Sequence, residues 1–189
     1  MAEDEPARLF FALWPDETLR PRLVDVAGVL QQRLTGKWVR PENLHLTLAF
    51  LGDVAAHREP DARRVGDEVS GNGFTLLLDR AEFWPRNGII CLGARETPPA
   101  LKALAGSLAE SLRGAGFPLE KRAFRAHLTL ARKGAYDRTL IGLPEPLAWD
   151  VGSFALVESR LDREGSAYIV RETWPLQNPE ATPGTPAVR

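Results

Sequence analysis

His45-Leu46-Thr47-Leu48-Ala49 is repeated without change as His127-Leu128-Thr129-Leu130-Ala131. Two of the protein's three histidines open these pentapeptides. In each, His, Thr and Ala alternate with the two leucines, the period of two that a half-buried β-strand requires. The spacing predicts leucines turned into a core and His, Thr and Ala turned the other way. Two such strands side by side would bring two imidazoles and two hydroxyls together. That group can accept a proton, donate a proton and hold an anion.

Outward from the pentapeptides, the flanking pattern occurs twice. Leu9 to Trp14 is an apolar run ended by Pro15, which reads as a strand. Asp16 offers a helix cap, and Leu19, Leu23, Val26, Ala27, Leu30 and Leu34 follow at helical spacing, so 16–34 reads as an amphipathic helix ended by Gly36. Trp38 to Pro41 leads into the first pentapeptide strand, 44–50, which stops near Gly52. In the second unit Ile89–Ala94 is a strand. Thr97 caps a helix with Pro98 in its first position and Leu101, Leu104, Ala105, Leu108 and Leu112 as its stripe. The second pentapeptide strand is 126–131. Between the units, 57–70 reads as a short exposed helix and Phe74–Phe83 as a strand kinked near Asp79. Pro85-Arg86-Asn87-Gly88 then makes a hairpin turn. Further strands are expected at 152–159 and 167–174, joined by a turn at 162–165. Two strand–helix–strand units back to back predict two lobes about a pseudo-two-fold axis, with the pentapeptides facing across a cleft. The expected organisation is a loose acidic tail over 1–7, one bilobal domain over 8–177 and a disordered, proline-containing tail over 178–189.

The 189 residues suffice for a substantial core, and 44% hydrophobic with 26% charged residues is ordinary for a globular chain. A net charge of -1 excludes a general polyanion binder, so any nucleic-acid contact should be local. Cys91 is the single cysteine and reads as a packed small residue, in keeping with a reducing compartment. No apolar run is long enough to span a membrane, and the start Met1-Ala-Glu-Asp-Glu-Pro6 is acidic where a signal peptide is basic. A cytoplasmic monomer is the expectation.

Unperturbed imidazoles titrate near 6.5, so paired histidines suit acid–base chemistry. One would take a proton from water while the other gives a proton to a leaving oxygen, which is what opening a cyclic phosphodiester requires. A lone strand histidine is more often structural, as His57 is expected to be. Thr47 and Thr129 share the histidines' face and could bond non-bridging phosphate oxygens, although threonine is also simply a good strand residue. Arg132 stands where the first copy has Phe50, a break in symmetry that suggests one cationic phosphate clamp. Strict alternation points Arg132 away from His127, so reaching the cleft needs a bend. Arg125 counts onto His127's side, with Lys121 and Arg122 nearby; a solvated charged edge is the competing reading of these three. Neither pentapeptide carries a carboxylate or thiol, and Glu42 and Asp53 lie outside, so no metal or other cofactor is expected. No Gly-rich phosphate loop supports nucleoside triphosphate hydrolysis. Trp38, Trp84 and Phe124 are read as core aromatics ahead of base-stacking ones.

The paired His-x-Thr-x motifs resemble those of the two-histidine phosphoesterases. RLFFALWP, PENLHLTLAFLGDV, FTLLLDRAEFWP and AHLTLAR resemble one branch, the RNA 2′,3′-cyclic phosphodiesterases formerly called 2′–5′ RNA ligases. The resemblance spans roughly residues 8–176. It implies an α+β, bilobal fold with antiparallel sheets lining a central cleft and helices outside. It implies metal-free hydrolysis of an RNA terminal 2′,3′-cyclic phosphate to a 2′-phosphate, with reversible 2′–5′ ligation in some settings. It assigns His45 as proton donor to the leaving 3′-oxygen, His127 as activator of water and Arg132 as a phosphate contact. Two alternatives stay open: another two-histidine phosphoesterase acting on small cyclic nucleotides or RNA 3′ ends, and a non-catalytic module that binds RNA ends.

Overall fold

The computed structural model describes residues 5–135, 140–162 and 165–177. In chain order the elements are β1 (Ala7–Leu13), α1 (Leu19–Gln31), β2 (Thr35–Trp38), β3 (Leu46–Val54), α2 (Glu59–Glu68), β4 (Phe74–Trp84), β5 (Ile89–Gly93), α3 (Pro99–Gly114), β6 (His127–Ala135), β7 (Leu140–Val151), β8 (Ser153–Asp162) and β9 (Gly165–Pro175). The class is α+β. The strands make one curled antiparallel sheet in the order β7-β4-β5-β6-β3-β1-β8-β9, with β2 beside β6. The two lobes are therefore halves of a continuous sheet. Counted outward from the centre, β6-β5-β4-β7 mirrors β3-β1-β8-β9, and β1-α1-β3 matches β5-α3-β6. β3 and β6 meet at a single residue pair, Leu46 opposite Leu128, and β2 pairs with β6 further along, at Lys37 opposite Arg132 and Trp38 opposite Ala131.

Local chemistry accounts for most elements. β1 buries both faces: Leu9, Phe11 and Leu13 enter the main core, while Phe10 and Ala12 pack with Ala155 and Val157 on the opposite face. That double burial is why its sequence is an unbroken apolar run rather than an alternation. Asp16 caps α1, its carboxylate accepting from the backbone N–H groups of Thr18 at 2.9 Å and Leu19 at 2.7 Å. α1 lies against β7, while α3 lies against β3. Each unit's helix thus covers the other unit's half of the sheet, and both helices share one core. A register shift between Leu78 and Arg80 marks the kink at Asp79. Among the described residues no helix is long and apolar enough to cross a membrane.

Several expectations are corrected. α1 stops at Gln31, and Gly36 does not end it. Gly36 sits inside β2, where an added Cβ would come within 3.3 Å of the Ala131 Cβ and the Arg132 carbonyl oxygen. The cap of α3 falls on Pro98 rather than Thr97. β7 was not foreseen. Its Pro144 and Pro146 disguise it, and it tolerates them because it is an edge strand. β1 begins within the expected N-terminal tail, with Ala7 already opposite Val54. The expected C-terminal tail, 178–189, and the turn residues Arg163 and Glu164 lie outside the described residues.

Two glycines give a paired test of packing. A Cβ at Gly66 in α2 would meet the Trp174 indole at 2.3 Å, whereas a Cβ at Gly28 in α1 would meet nothing within 4 Å. Gly66→Ala is expected to destabilise the protein by about 1–3 kcal/mol through overpacking. Gly28→Ala is expected to stabilise it by about 0.5–1 kcal/mol through helix propensity. Urea denaturation of the two variants beside the parent checks both signs.

Candidate active site

The two pentapeptides lie on the central strands, and each strand is bulged at the same place. Opposite β1, register slips between Thr47 and Ala49, leaving Leu48 as the extra residue. Opposite β5 it slips between Thr129 and Ala131, leaving Leu130 extra. A bulge reverses the side-chain phase. Ala49 and Ala131 therefore join the leucines in the core, at 7% and 0% exposure, instead of sharing the face of His and Thr. The next residue in each strand, Phe50 and Arg132, returns to the exposed face. The bulge is the bend that Arg132 needed. Lys133 follows with φ 53°, and the Gly134 N–H bonds the Gly88 carbonyl at 2.8 Å, which fixes the backbone just beyond.

With Leu46 facing Leu128, extending the antiparallel register by one residue each way sets His45 opposite Thr129 and Thr47 opposite His127. Both imidazoles are pinned alike. Each Nδ1–H donates to the carbonyl oxygen two residues earlier: Asn43 at 2.7 Å for His45, Arg125 at 2.8 Å for His127. That fixes the tautomer and leaves Nε2 as the working nitrogen. His45 Nε2 also lies 3.1 Å from Thr47 Oγ1, which donates to it in the neutral form.

The surroundings of the two rings differ. Trp14 stacks on His45 with centroids 5.4 Å apart, while Phe10 at 4.9 Å and Tyr168 at 5.1 Å enclose it. His127 packs against Trp84 at 4.6 Å. The Arg125 guanidinium also lies over Trp84, 4.6 Å from its ring, and forms an ion pair with Glu82. Glu82 is 4% exposed and also accepts from Trp84 Nε1 at 2.8 Å and pairs with Arg80 at 3.1 Å. Sequence reasoning missed Glu82 altogether. It is a carboxylate between Ala81 and Phe83-Trp84 in β4, which was the available signal. It anchors both the ring beside His127 and the residue whose carbonyl orients His127. Arg125 thus stands next to His127 with its charge already partnered. Cys91 is fully buried, and burial pushes its thiol up to about 12. His57 is exposed and remote from the pair in sequence and element. Among the described residues no group of three or more His, Cys, Asp or Glu is placed to hold a metal ion.

Both histidines are held below the usual imidazole range. His45 is lowered to about 4, first by desolvation and then by the charges of Arg132 and His127, against the favourable bond to the Asn43 carbonyl. His127 is lowered by desolvation and then by Arg122, Arg125 and Arg132. The charge of Arg132 disfavours a proton on both rings. Two imidazoles whose Nδ1–H groups are tied to the backbone, with their Nε2 atoms left for chemistry, can give and take protons.

The chain as a whole is similar to known proteins. The family model described as LigT-like phosphoesterase matches twice, at residues 13–91 and 92–168, one match per unit. The chain is 33% identical to the RNA 2′,3′-cyclic phosphodiesterase of Escherichia coli (strain K12), over 91% of this chain and 98% of that protein. It is 31% identical to the Thermus thermophilus protein of the same name, over 90% of each. The crystal structure of E. coli LigT complexed with 3′-AMP superposes with a TM-score of 0.85 at 32% identity, covering 91% of this chain and 99% of that one.

The depressed values give a prediction whose sign is fixed. Folding favours neutral imidazole at both positions, so their stability contribution is complete above pH 6.5. It is lost as pH falls below that, for His45 down to about 4. In a ¹H–¹³C NMR titration the His45 ring resonance should titrate near 4 and move to higher pH when inorganic phosphate is added. A His45 midpoint near 6.5 in the free protein would contradict the burial account.

Proposed function

The chain belongs to the LigT-like phosphoesterases, and on that premise we propose that it hydrolyses the 2′,3′-cyclic phosphate at an RNA end to a 2′-phosphomonoester. The observation that carries this reading is the duplicated arrangement of His45 and His127. Each Nδ1–H is tied to a carbonyl two residues back, and Arg132 acts on both rings. Relatives named for this activity, matched over nearly their whole length, support it.

The mechanism is drawn from side chains alone. His127, neutral, takes a proton from water at Nε2 as the water oxygen bonds to phosphorus. His45, protonated, gives its Nε2 proton to the departing 3′-oxygen as the P–O3′ bond breaks, leaving the phosphate on the 2′-oxygen. The two histidines end with their protonation states exchanged, and proton exchange with solvent resets them. In-line displacement requires attacking and leaving oxygens on opposite sides of phosphorus, which two opposed imidazoles suit. Thr47 and Thr129 hydroxyls and the Arg132 guanidinium hold the non-bridging oxygens. The division of labour follows the resemblance of the two motifs. His127 is lowered first by desolvation and then by Arg122, Arg125 and Arg132, so it starts neutral, the state from which a base acts. His45 is lowered chiefly by desolvation, a penalty that an arriving phosphodiester anion offsets. In this reading the protein works as a cytoplasmic monomer with RNA as its partner, and Arg125 is a secondary phosphate contact because Glu82 holds it.

Two experiments test the reading. His45→Ala and His127→Ala should each lower kcat by on the order of 10²-fold or more with folding intact. Hydrolysis of 2′,3′-cyclic AMP by the parent should give 2′-AMP, identified by chromatography against authentic 2′-AMP and 3′-AMP. A predominantly 3′-AMP product would reverse the roles given to the two histidines.

The clamp is tested separately. Arg132→Lys keeps the charge but loses the planar fork, so kcat/KM should fall by roughly 10-fold or more. Full retention of kcat/KM by Arg132→Ala would remove Arg132 from the site.

A further inference from the structure

The cleft does not end at the histidines. A groove of about 690 Å³ runs from Thr47 and His127 along β3, between that strand, α3 and the segment 119–125. This is far more space than one phosphate needs, and it falls within the range of about 300–1,000 Å³ typical of organic ligand sites. Two observations describe what its walls would recognise. Among the described residues, the large exposed hydrophobics include two aromatics, Phe50 at 41% and Phe124 at 36%, and both line this groove. Phe50 reaches it because the bulge in β3 turns it onto the cleft face, and the Arg8 guanidinium lies 4.9 Å from its ring. Phe124, a core residue by the sequence reading, stands outside the core. The charged lining is also one-sided. Lys102 and Arg113 from α3 and Lys121 from the following segment face the groove without an ion pair among the described residues. Its one carboxylate, Glu120, is paired with Arg122 at 2.6 Å.

Exposed aromatic faces beside unpaired cations, in an elongated groove on a protein of net charge -1, are a local polyanion track with stacking platforms. We propose that this groove binds the single-stranded RNA leading into the cyclic end, with bases stacking on Phe50 and Phe124 and backbone phosphates on Lys102, Arg113 and Lys121. The proposal rests on the cyclic phosphodiesterase reading and adds to it that the preferred substrate is an oligonucleotide. A cyclic mononucleotide would occupy only the histidine end of the cleft.

The test compares two substrates, 2′,3′-cyclic AMP and a short oligoribonucleotide ending in a 2′,3′-cyclic phosphate. Phe124→Ala should lower kcat/KM for the oligonucleotide by on the order of 10-fold, the loss of one stacked base, while leaving cyclic AMP turnover within about two-fold. Phe124→Tyr, which keeps a stacking face, should restore it. Lys102→Gln combined with Arg113→Gln should flatten the dependence of log kcat/KM on log salt for the oligonucleotide, by about 0.7 for each phosphate left without its cation. Equal losses on both substrates, or none on the oligonucleotide, would overturn the proposal. Anisotropy with the 2′-phosphorylated oligonucleotide separates the two claims. A parent protein that turns over neither substrate, yet binds this oligonucleotide in a Phe124-dependent way, refutes the activity and retains the groove.

Discussion

The cleft depends on how little joins its two walls. β3 and β6 meet through Leu46 and Leu128 alone, whereas the neighbouring strands form ladders of five or more residue pairs on at least one side of each half. A long central ladder would hold the two middle strands in a common sheet plane. A one-pair contact lets the halves curl toward each other, so the faces carrying the imidazoles converge. The halves stay together because β2 pairs with β6, while α1 covers β7 and α3 covers β3, tying each unit to the other through one core. Leu46 and Leu128 are themselves fully buried, a contribution of about 1.5–3 kcal/mol each. Hydrophobic burial thus holds the site closed where backbone hydrogen bonding is at its weakest.

Much of this could be read from the sequence, for a physical reason. A half-buried strand writes its period into its residues, so the His–Thr face and the leucine face of each pentapeptide were visible, as were the apolar stripes of α1 and α3. What escaped was set by partners distant in sequence. The bulges at Leu48 and Leu130 depend on how β1 and β5 align beside them, and five residues read in isolation show only alternation. Ala49 and Ala131 were therefore assigned the wrong face, and Arg132 seemed to need a special bend. Glu82 could not be linked to Arg125 before β4 and β5 were placed beside β6. The proline-bearing β7 went unassigned because its tolerance for proline comes from standing at an edge.

Identical pentapeptides do not make identical histidines. The same five residues present His45 to a cage of Phe10, Trp14 and Tyr168, and His127 to an indole, a guanidinium and the carboxylate that holds both. One ring is enclosed mainly by aromatic side chains; the other lies among several cations. Where two like groups must take opposite roles, it is the surroundings that have to separate them. Here the separation lies outside the repeated motif, in residues of β1, β4 and β9 together with Trp14 and Arg125, which the repeat does not duplicate.

The apolar cage also sets a condition on what the site can act upon. Under the proposed mechanism His45 must carry a proton, yet desolvation lowers it to about 4, so near neutral pH the free ring is almost wholly uncharged. A unit negative charge about 4 Å away, at an effective dielectric of about 20, is worth about 4 kcal/mol. That is enough to raise a pKa by about three. The phosphodiester's own charge is therefore of the size needed to bring His45 back into the range where it can act as an acid. A neutral ester of the same shape would leave the proton donor unloaded. Burial that looks like a handicap to acid catalysis in this way makes the anion a condition of its own cleavage, and Arg132, which opposes the proton while the anion is elsewhere, becomes its partner once the anion lies between them.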